Sequence, residues 1–334
     1  MGKLSTEDLK KLLSCIKKHP KVIVPPLPGF DSGVHLIGDD KYLVVSTDPC
    51  LGVPEKWFGW FLIHYAASDL ALFGAKPEFC TINLLGPPAT KSEVFYRIMR
   101  QACSAADDLR MAVVTGHTGT YMGLSTLVGV CTVYGLVSRN KLITPGGGRV
   151  GDYIVCTKPV GLEIVVNFAL AQEALAKKLF GTRRVQNLGR LITMQSCVKE
   201  AVMLGEIGGV HAMHDATEGG LTAALNEMAE ASSVGFKTEL EKFQIPKEVN
   251  ILQRYFNLSD EQVLSMSSTG TILAAVDAKA KDKVKAKLRQ QGIKASYVGK
   301  FTKNKSRILV KNGKETKFPR KAHDPYEKIM SAHQ

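Results

Sequence analysis

The stretch His214-Asp215-Ala216-Thr217-Glu218-Gly219-Gly220-Leu221 decides how this chain is read. An aspartate and a threonine open onto two glycines, and a helix carrying Asn226 and Glu227 follows. Free N–H groups at such a helix start suit an anion, and glycine lets a phosphate or another backbone approach closely. Asp215 or Thr217 can equally do no more than cap the helix. Three further aspartates lie among small residues in Gly29-Phe30-Asp31-Ser32-Gly33, Ser46-Thr47-Asp48-Pro49 and Ser68-Asp69-Leu70-Ala71-Leu72-Phe73-Gly74-Ala75. Each alone is ordinary turn chemistry. Four carboxylates in four separate segments instead describe a metal-nucleotide site, because the hard Mg²⁺ that escorts phosphates seeks convergent oxygens.

With 334 residues, 45% of them hydrophobic, the chain can bury a large core in about two domains. Its formal net charge of +13 favours anionic partners, such as a phosphorylated small molecule. The lysines are spread over the first helix and the last quarter, as on a solvated face. There is no zinc-finger spacing, RNP-like aromatic strand or basic zipper, so nucleic acid is not an expected partner. Seven cysteines without CxxC spacing read as thiols of a reducing compartment, with Cys50 after an Asp48-Pro49 turn the most reactive. Ser5 and Asp8 form a capping-box pattern at the first helix, which argues against a signal peptide. Met1-Gly2 with Thr6 matches a myristoylation pattern only formally. No apolar run reaches the ~18 residues of a membrane span, and a cytoplasmic protein is expected.

The first half alternates strands and helices: strand Lys41 to Thr47, helix Trp57 to Phe73, strand Cys80 to Leu85, helix Ser92 to Asp107, strands Met111 to Thr115 and Leu124 to Val137. The glycine cluster Pro145-Gly146-Gly147-Gly148 marks a domain boundary, giving domains 1–147 and 148–334. It precedes a strand and lacks a Gly-Lys-Ser/Thr ending, so it is a poor phosphate cradle. Helices at Leu162 to Leu179, Asn187 to Leu204 and Thr217 to Ser232 are expected in the second half, with strands Tyr153 to Thr157, Gly270 to Val276, Lys294 to Gly299 and Arg307 to Val310. The fold class is α+β.

In this order the aspartate segments resemble the aminoimidazole ribonucleotide (AIR) synthetase superfamily, over about Val24 to Gly299, and most closely its hydrogenase-maturation branch. The resemblance implies a two-domain AIR synthase-like fold. In it the N-terminal sheets of a homodimer pair into a barrel, and the C-terminal domain is an α/β sandwich. It also implies Mg-ATP and transfer of the γ-phosphoryl group to an acceptor, often an amide-like oxygen. Carried over by position, Asp31, Asp48, Asp69 and Asp215 hold metal and phosphate, with Gly29, Thr47, Gly116, Thr118, Thr217, Gly219 and Gly220 around the nucleotide. Phosphoryl transfer is mostly positioning and charge neutralisation, which is what carboxylates holding a metal supply.

One segment departs from the pattern. Gly116-His117-Thr118 carries histidine where relatives carry an acid, and neutral imidazole is a poor Mg²⁺ ligand. His117 would reduce the metal count, contact a phosphate, shuttle a proton, or simply be a loop histidine. His211 and His214, three apart, suggest a metal pair without a third ligand; His214 reads better as positioning Asp215. A small-molecule kinase resembling thiamine-monophosphate kinase and a non-catalytic nucleotide-binding homodimer are the rival readings. The acceptor is expected to be an anionic small molecule or a maturation partner protein. The C-terminal cysteine that carries the reacting group in the hydrogenase-maturation relatives has no counterpart after Cys197. Synthesis on the chain's own thiol is therefore not expected.

Overall fold

A computed structural model describes Leu4 and residues 6–331; Ser5 of the expected capping box and the Met1-Gly2 pair lie outside them. The chain divides into two compact units, 6–142 and 143–334.

The N-terminal unit runs α1 (Thr6–Leu13), β1 (Val22–Val24), β2 (Ser32–Leu36), β3 (Lys41–Cys50), α2 (Glu55–Leu72), β4 (Phe79–Gly86), α3 (Ser92–Asp108), β5 (Ala112–Thr120) and β6 (Val128–Ser138). Its sheet has the order β1-β2-β3-β6-β4-β5, antiparallel except for β4 beside β5. Strand β6 alternates buried and half-buried residues along its length, so one face carries the core and the other is partly open. The core face is covered by α2, with Phe58, Phe61, Leu62 and Ala66 fully buried. The sheet is open rather than a closed barrel. Both edges of β3 and β6 are already paired within the chain, so these two strands cannot recruit a second copy edge to edge. The outer strand β5 is exposed along most of its length.

The C-terminal unit runs β7 (Tyr153–Thr157), α4 (Leu162–Ala171), α5 (Glu173–Phe180), α6 (Thr182–Gly189), α7 (Val198–Ile207), β8 (Val210–Ala216), α8 (Gly220–Ala231) and β9 (Gly235–Glu239). It continues with α9 (Lys247–Tyr255), α10 (Asp260–Leu264), β10 (Ser268–Val276), α11 (Lys281–Gln290), β11 (Ala295–Thr302), β12 (Arg307–Lys311), β13 (Lys314–Lys317) and α12 (Tyr326–Met330). The sheet order is β13-β12-β9-β11-β7-β10-β8. Every residue of β10 is buried: α4 and α8 pack against it, while α7 packs on its neighbour β8 and α11 on β11.

Two helices expected from the sequence are broken. The first splits at Gln172 into α4 and α5. The second is replaced by α6, a short 3₁₀ turn at Ile192–Gln195, and α7. The buried Lys158 ammonium explains that break: it takes the carbonyls of Met194 (2.9 Å) and Ser196 (2.7 Å) and pairs with buried Glu200. Carbonyls captured by a distant lysine are lost to a helix ladder. The glycine cluster also has a packing role, since a Cβ on Gly147 would fall 2.0 Å from the His211 carbonyl oxygen.

Candidate functional site

In the N-terminal unit a serine joins two of the aspartate segments. The Ser46 hydroxyl, on β3, donates toward the Asp69 Oδ2 on α2 (3.2 Å) and the Asp31 main-chain carbonyl (3.1 Å). Ser32, directly opposite Ser46 in the β2–β3 register, is 3% exposed, and its hydroxyl has no hydrogen-bond partner among the described residues. A buried hydroxyl left unsatisfied beside carboxylates is what a ligand-binding surface leaves open. Asp48 lies two residues beyond Ser46 on the same strand face, against the buried thiols of Cys50 and Cys131.

The strand period sends Thr47 the other way. Its hydroxyl accepts from Thr132 (2.9 Å) on the opposite sheet face, so Thr47 and Asp48 do not share a surface. Nor is Asp48-Pro49 a turn; β3 continues through it to Cys50. Cys50 is 1% exposed and donates to the Phe58 carbonyl, and burial followed by the Asp48 charge pushes its thiol well up. The reactive cysteine expected there is therefore inert.

His117 sits on exposed β5, bonded to the Tyr121 hydroxyl. Two strands separate β5 from β3, a lateral distance of roughly 14 Å at ~4.8 Å per strand. Within this unit His117 is thus far from Asp48. Thr118 is exposed on the same strand, and Gly116 has a structural cause: a Cβ there would lie 2.1 Å from the Ile82 carbonyl oxygen. Gly29 has a φ of 76°, which only glycine adopts freely at the turn before Asp31.

The carboxylates of Asp31, Asp48 and Asp69 are not gathered within the 4.8 Å of a single-ion cage. Their all-oxygen character still fits Mg²⁺, which keeps several of its waters and takes one or two carboxylates plus phosphate oxygens.

In the C-terminal unit, Asp215 lies one residue before the end of β8 at 2% exposure, with an Oδ1 that no donor among the described residues satisfies. His214 positions it: Nδ1 bonds the Asp215 carbonyl (2.8 Å) and Nε2 the Glu227 carboxylate on α8 (2.8 Å). His211 is not its partner. It bonds Asp152 at the other end of the strand, where Asp277 completes a cluster.

Gly219 and Gly220 both have positive φ, 78° and 54°, and a Cβ on Gly220 would meet the Met266 carbonyl oxygen at 2.3 Å. Neither Asp215 nor Thr217 caps α8. The Gly219 N–H is instead taken by Asp324 (3.1 Å), whose Oδ2 also accepts from Ser267. Close by, Glu163 accepts from Thr269 (2.5 Å). Burial, outweighing that bond and joined by the charges of Asp324 and Glu218, pushes its carboxyl up to about 7. Glu163, Ser267, Thr269 and Asp324 were not legible in the sequence, because they meet only across about 50 to 160 residues of chain.

Two family models match this chain in order. Residues 29–137 match the N-terminal domain of AIR synthase related proteins, and residues 149–311 match the C-terminal domain. The chain belongs to the AIR synthase related family. Among its relatives, the selenide, water dikinase of Carboxydothermus hydrogenoformans is 26% identical over 93% of this chain and 95% of its own. The crystal structure of E. coli HypE superposes with a TM-score of 0.74 at 22% identity, covering 87% of this chain and 89% of that one. A HypE structure solved in complex with ATP reaches 0.70 at 17% identity, over 95% and 96%. These likenesses show the AIR synthase fold. Among the described residues no helix is long and apolar enough to cross a membrane.

Proposed function

We propose that this AIR synthase family member uses Mg-ATP to phosphorylate, and so activate, an amide-like oxygen of an acceptor. The observation that carries the reading is the Ser46 junction, which ties the Asp31 and Asp69 segments together beside the unsatisfied Ser32 hydroxyl. When bound, Mg²⁺ would offset phosphate charge and make the terminal phosphoryl group more electrophilic. Asp48 and Asp69 hold it, and Ser46 fixes the Asp69 rotamer. Asp31 completes the phosphate-facing set of the N-terminal unit in this reading, and Asp215 is a separate candidate carboxylate of the C-terminal unit. The partly open face of the N-terminal sheet, together with exposed β5, supports a homodimer closed by a second copy. Light scattering that finds a monomer at micromolar concentration with ATP binding intact would remove that part.

The test is ATP turnover across a panel of acceptors that includes selenide, thiamine monophosphate and a carbamoylated thiol. ADP and AMP are both followed. Acceptor-dependent ADP is the expected result, and AMP as the main product overturns γ-phosphoryl transfer. ATP binding without turnover on any acceptor would make the chain a non-catalytic nucleotide binder.

A further inference from the structure

The lysine excess that reads as diffuse along the sequence is concentrated. Residues 277–305, comprising α11, β11 and their flanking turns, hold ten Lys and Arg against two acids, Asp277 and Asp282. Under a tenth of the chain thus supplies +8 of its +13. Among the described residues none of these ten cations enters an ion pair, although Lys283 bonds the Ile207 carbonyl. The flanks of α11 are exposed, while Val284 and Leu288 anchor it to the unit.

At the centre lie two tyrosines from neighbouring strands. Tyr153 on β7 and Tyr297 on β11 form an edge-to-face pair with ring centroids 5.6 Å apart, both half-exposed. The Lys281 ammonium is 4.5 Å from the Tyr153 centroid and 5.1 Å from that of Tyr297, and Lys300 is 4.2 Å from Tyr153. The Tyr297 hydroxyl donates to the Lys281 carbonyl, which fixes the helix end against the strand. A hydrogen bond with Lys300, followed by the charges of Lys281 and Lys300, holds the Tyr153 phenol below its usual range.

Two ammonium groups against one ring repel each other, and an anion shared between them relieves that cost. Helix α11 alone carries Lys281, Lys283, Lys285, Lys287 and Arg289 over its ten residues, about 15 Å, long enough for more than one phosphate. Basic strips that track a backbone, interrupted by aromatic rings that can stack on bases, are how proteins hold single strands.

We propose that the α11–β11 face of the C-terminal unit binds single-stranded nucleic acid, whose phosphates draw Lys281 and Lys300 off the Tyr153 and Tyr297 rings and so free the rings as platforms for the bases. This reading is independent of the phosphoryl-transfer proposal.

The experiment is fluorescence anisotropy of a labelled 12-nucleotide oligo(U) with the full chain over a salt series. Three to four phosphate contacts should give a slope of log K on log salt of about −2 to −3. Lys281→Gln with Lys300→Gln should weaken binding at least about tenfold and flatten that slope by roughly 1.4, at ~0.7 per phosphate on a single strand. Tyr153→Leu, with the charge intact, should weaken binding severalfold; each variant is first shown to keep its thermal midpoint. If Tyr153→Leu does not fold, Tyr297→Leu replaces it. No binding at low salt overturns the proposal, and so does an unchanged affinity in the double lysine variant. Inorganic polyphosphate of equal charge binding as tightly as the oligonucleotide would also overturn it, by reducing the face to a general polyanion sink.

Discussion

The two units treat their acidic residues in opposite ways. In the N-terminal unit Asp31, Asp48 and Asp69 stay half-buried, and Ser46 ties the Asp31 and Asp69 segments together beside the unsatisfied Ser32 hydroxyl. In the C-terminal unit Asp152, Glu200, Asp215 and Glu248 are buried, and the half-buried Glu163 and Asp324 are bonded by the chain itself. Glu200 is paired with Lys158, Glu163 is raised by burial, and Asp324 occupies the start of α8. A half-buried carboxylate beside an unsatisfied hydroxyl leaves room for an external ligand, whereas a fully buried one must be paired, protonated or hydrogen-bonded by its own chain. The first arrangement suits metal and phosphate; the second spends its polarity on holding the fold and tuning one proton.

The largest effect that would test this contrast is at the buried pair. Lys158→Ala leaves Glu200 uncompensated in the interior, and a loss of about 3–5 kcal/mol is expected in denaturant unfolding. A loss under ~1 kcal/mol would mean that the C-terminal acids are not structural. Next, Asp69→Asn and Asp48→Asn should each weaken ATP binding by about tenfold or more, ~1.4 kcal/mol, with the melting point little changed. Unaltered ATP-induced thermal stabilisation in both variants would break the assignment.

A smaller and pH-dependent effect belongs to Glu163. Its folded carboxyl titrates near 7 against an ordinary value of 4.5, so the folded state holds the proton more tightly. The stability it contributes is complete below pH 4.5 and is lost as pH rises through 7, in total roughly 3 kcal/mol. Glu163→Gln should remove that slope, and an identical stability–pH profile in the variant would refute the shift. The smallest effect concerns thiols. Among the described residues only Cys15 and Cys103 are exposed cysteines, both in the N-terminal unit, so native alkylation followed by peptide mapping should find two adducts. Labelling at Cys50, Cys156 or Cys197 would show that their surroundings open.

Much of the fold was legible because it rests on local patterns. The β3, α2, β4 and α3 segments have clear strand or helix periods, and the glycine-bounded aspartates identify the family before any contact is known. The unread parts share a cause. Lys158 breaks a helix about 36 residues away by taking its carbonyls, a competition that no window of sequence contains. Thr47 and Asp48 are adjacent in sequence yet separated by the sheet, because strand side chains alternate.

By itself, the sequence determined the alternation of strands and helices, the family, and the four segments that carry carboxylates, since these depend on residue type and near-neighbour spacing. Only tertiary structure decided which groups meet. It placed Asp324 rather than Asp215 or Thr217 at the start of α8, set His117 two strands from β3, enclosed Cys50, and brought Tyr153 beneath Lys281 and Lys300. Each outcome depends on strand order or on a contact over long chain separation, and the energy of such contacts exists only once the backbone has closed the distance.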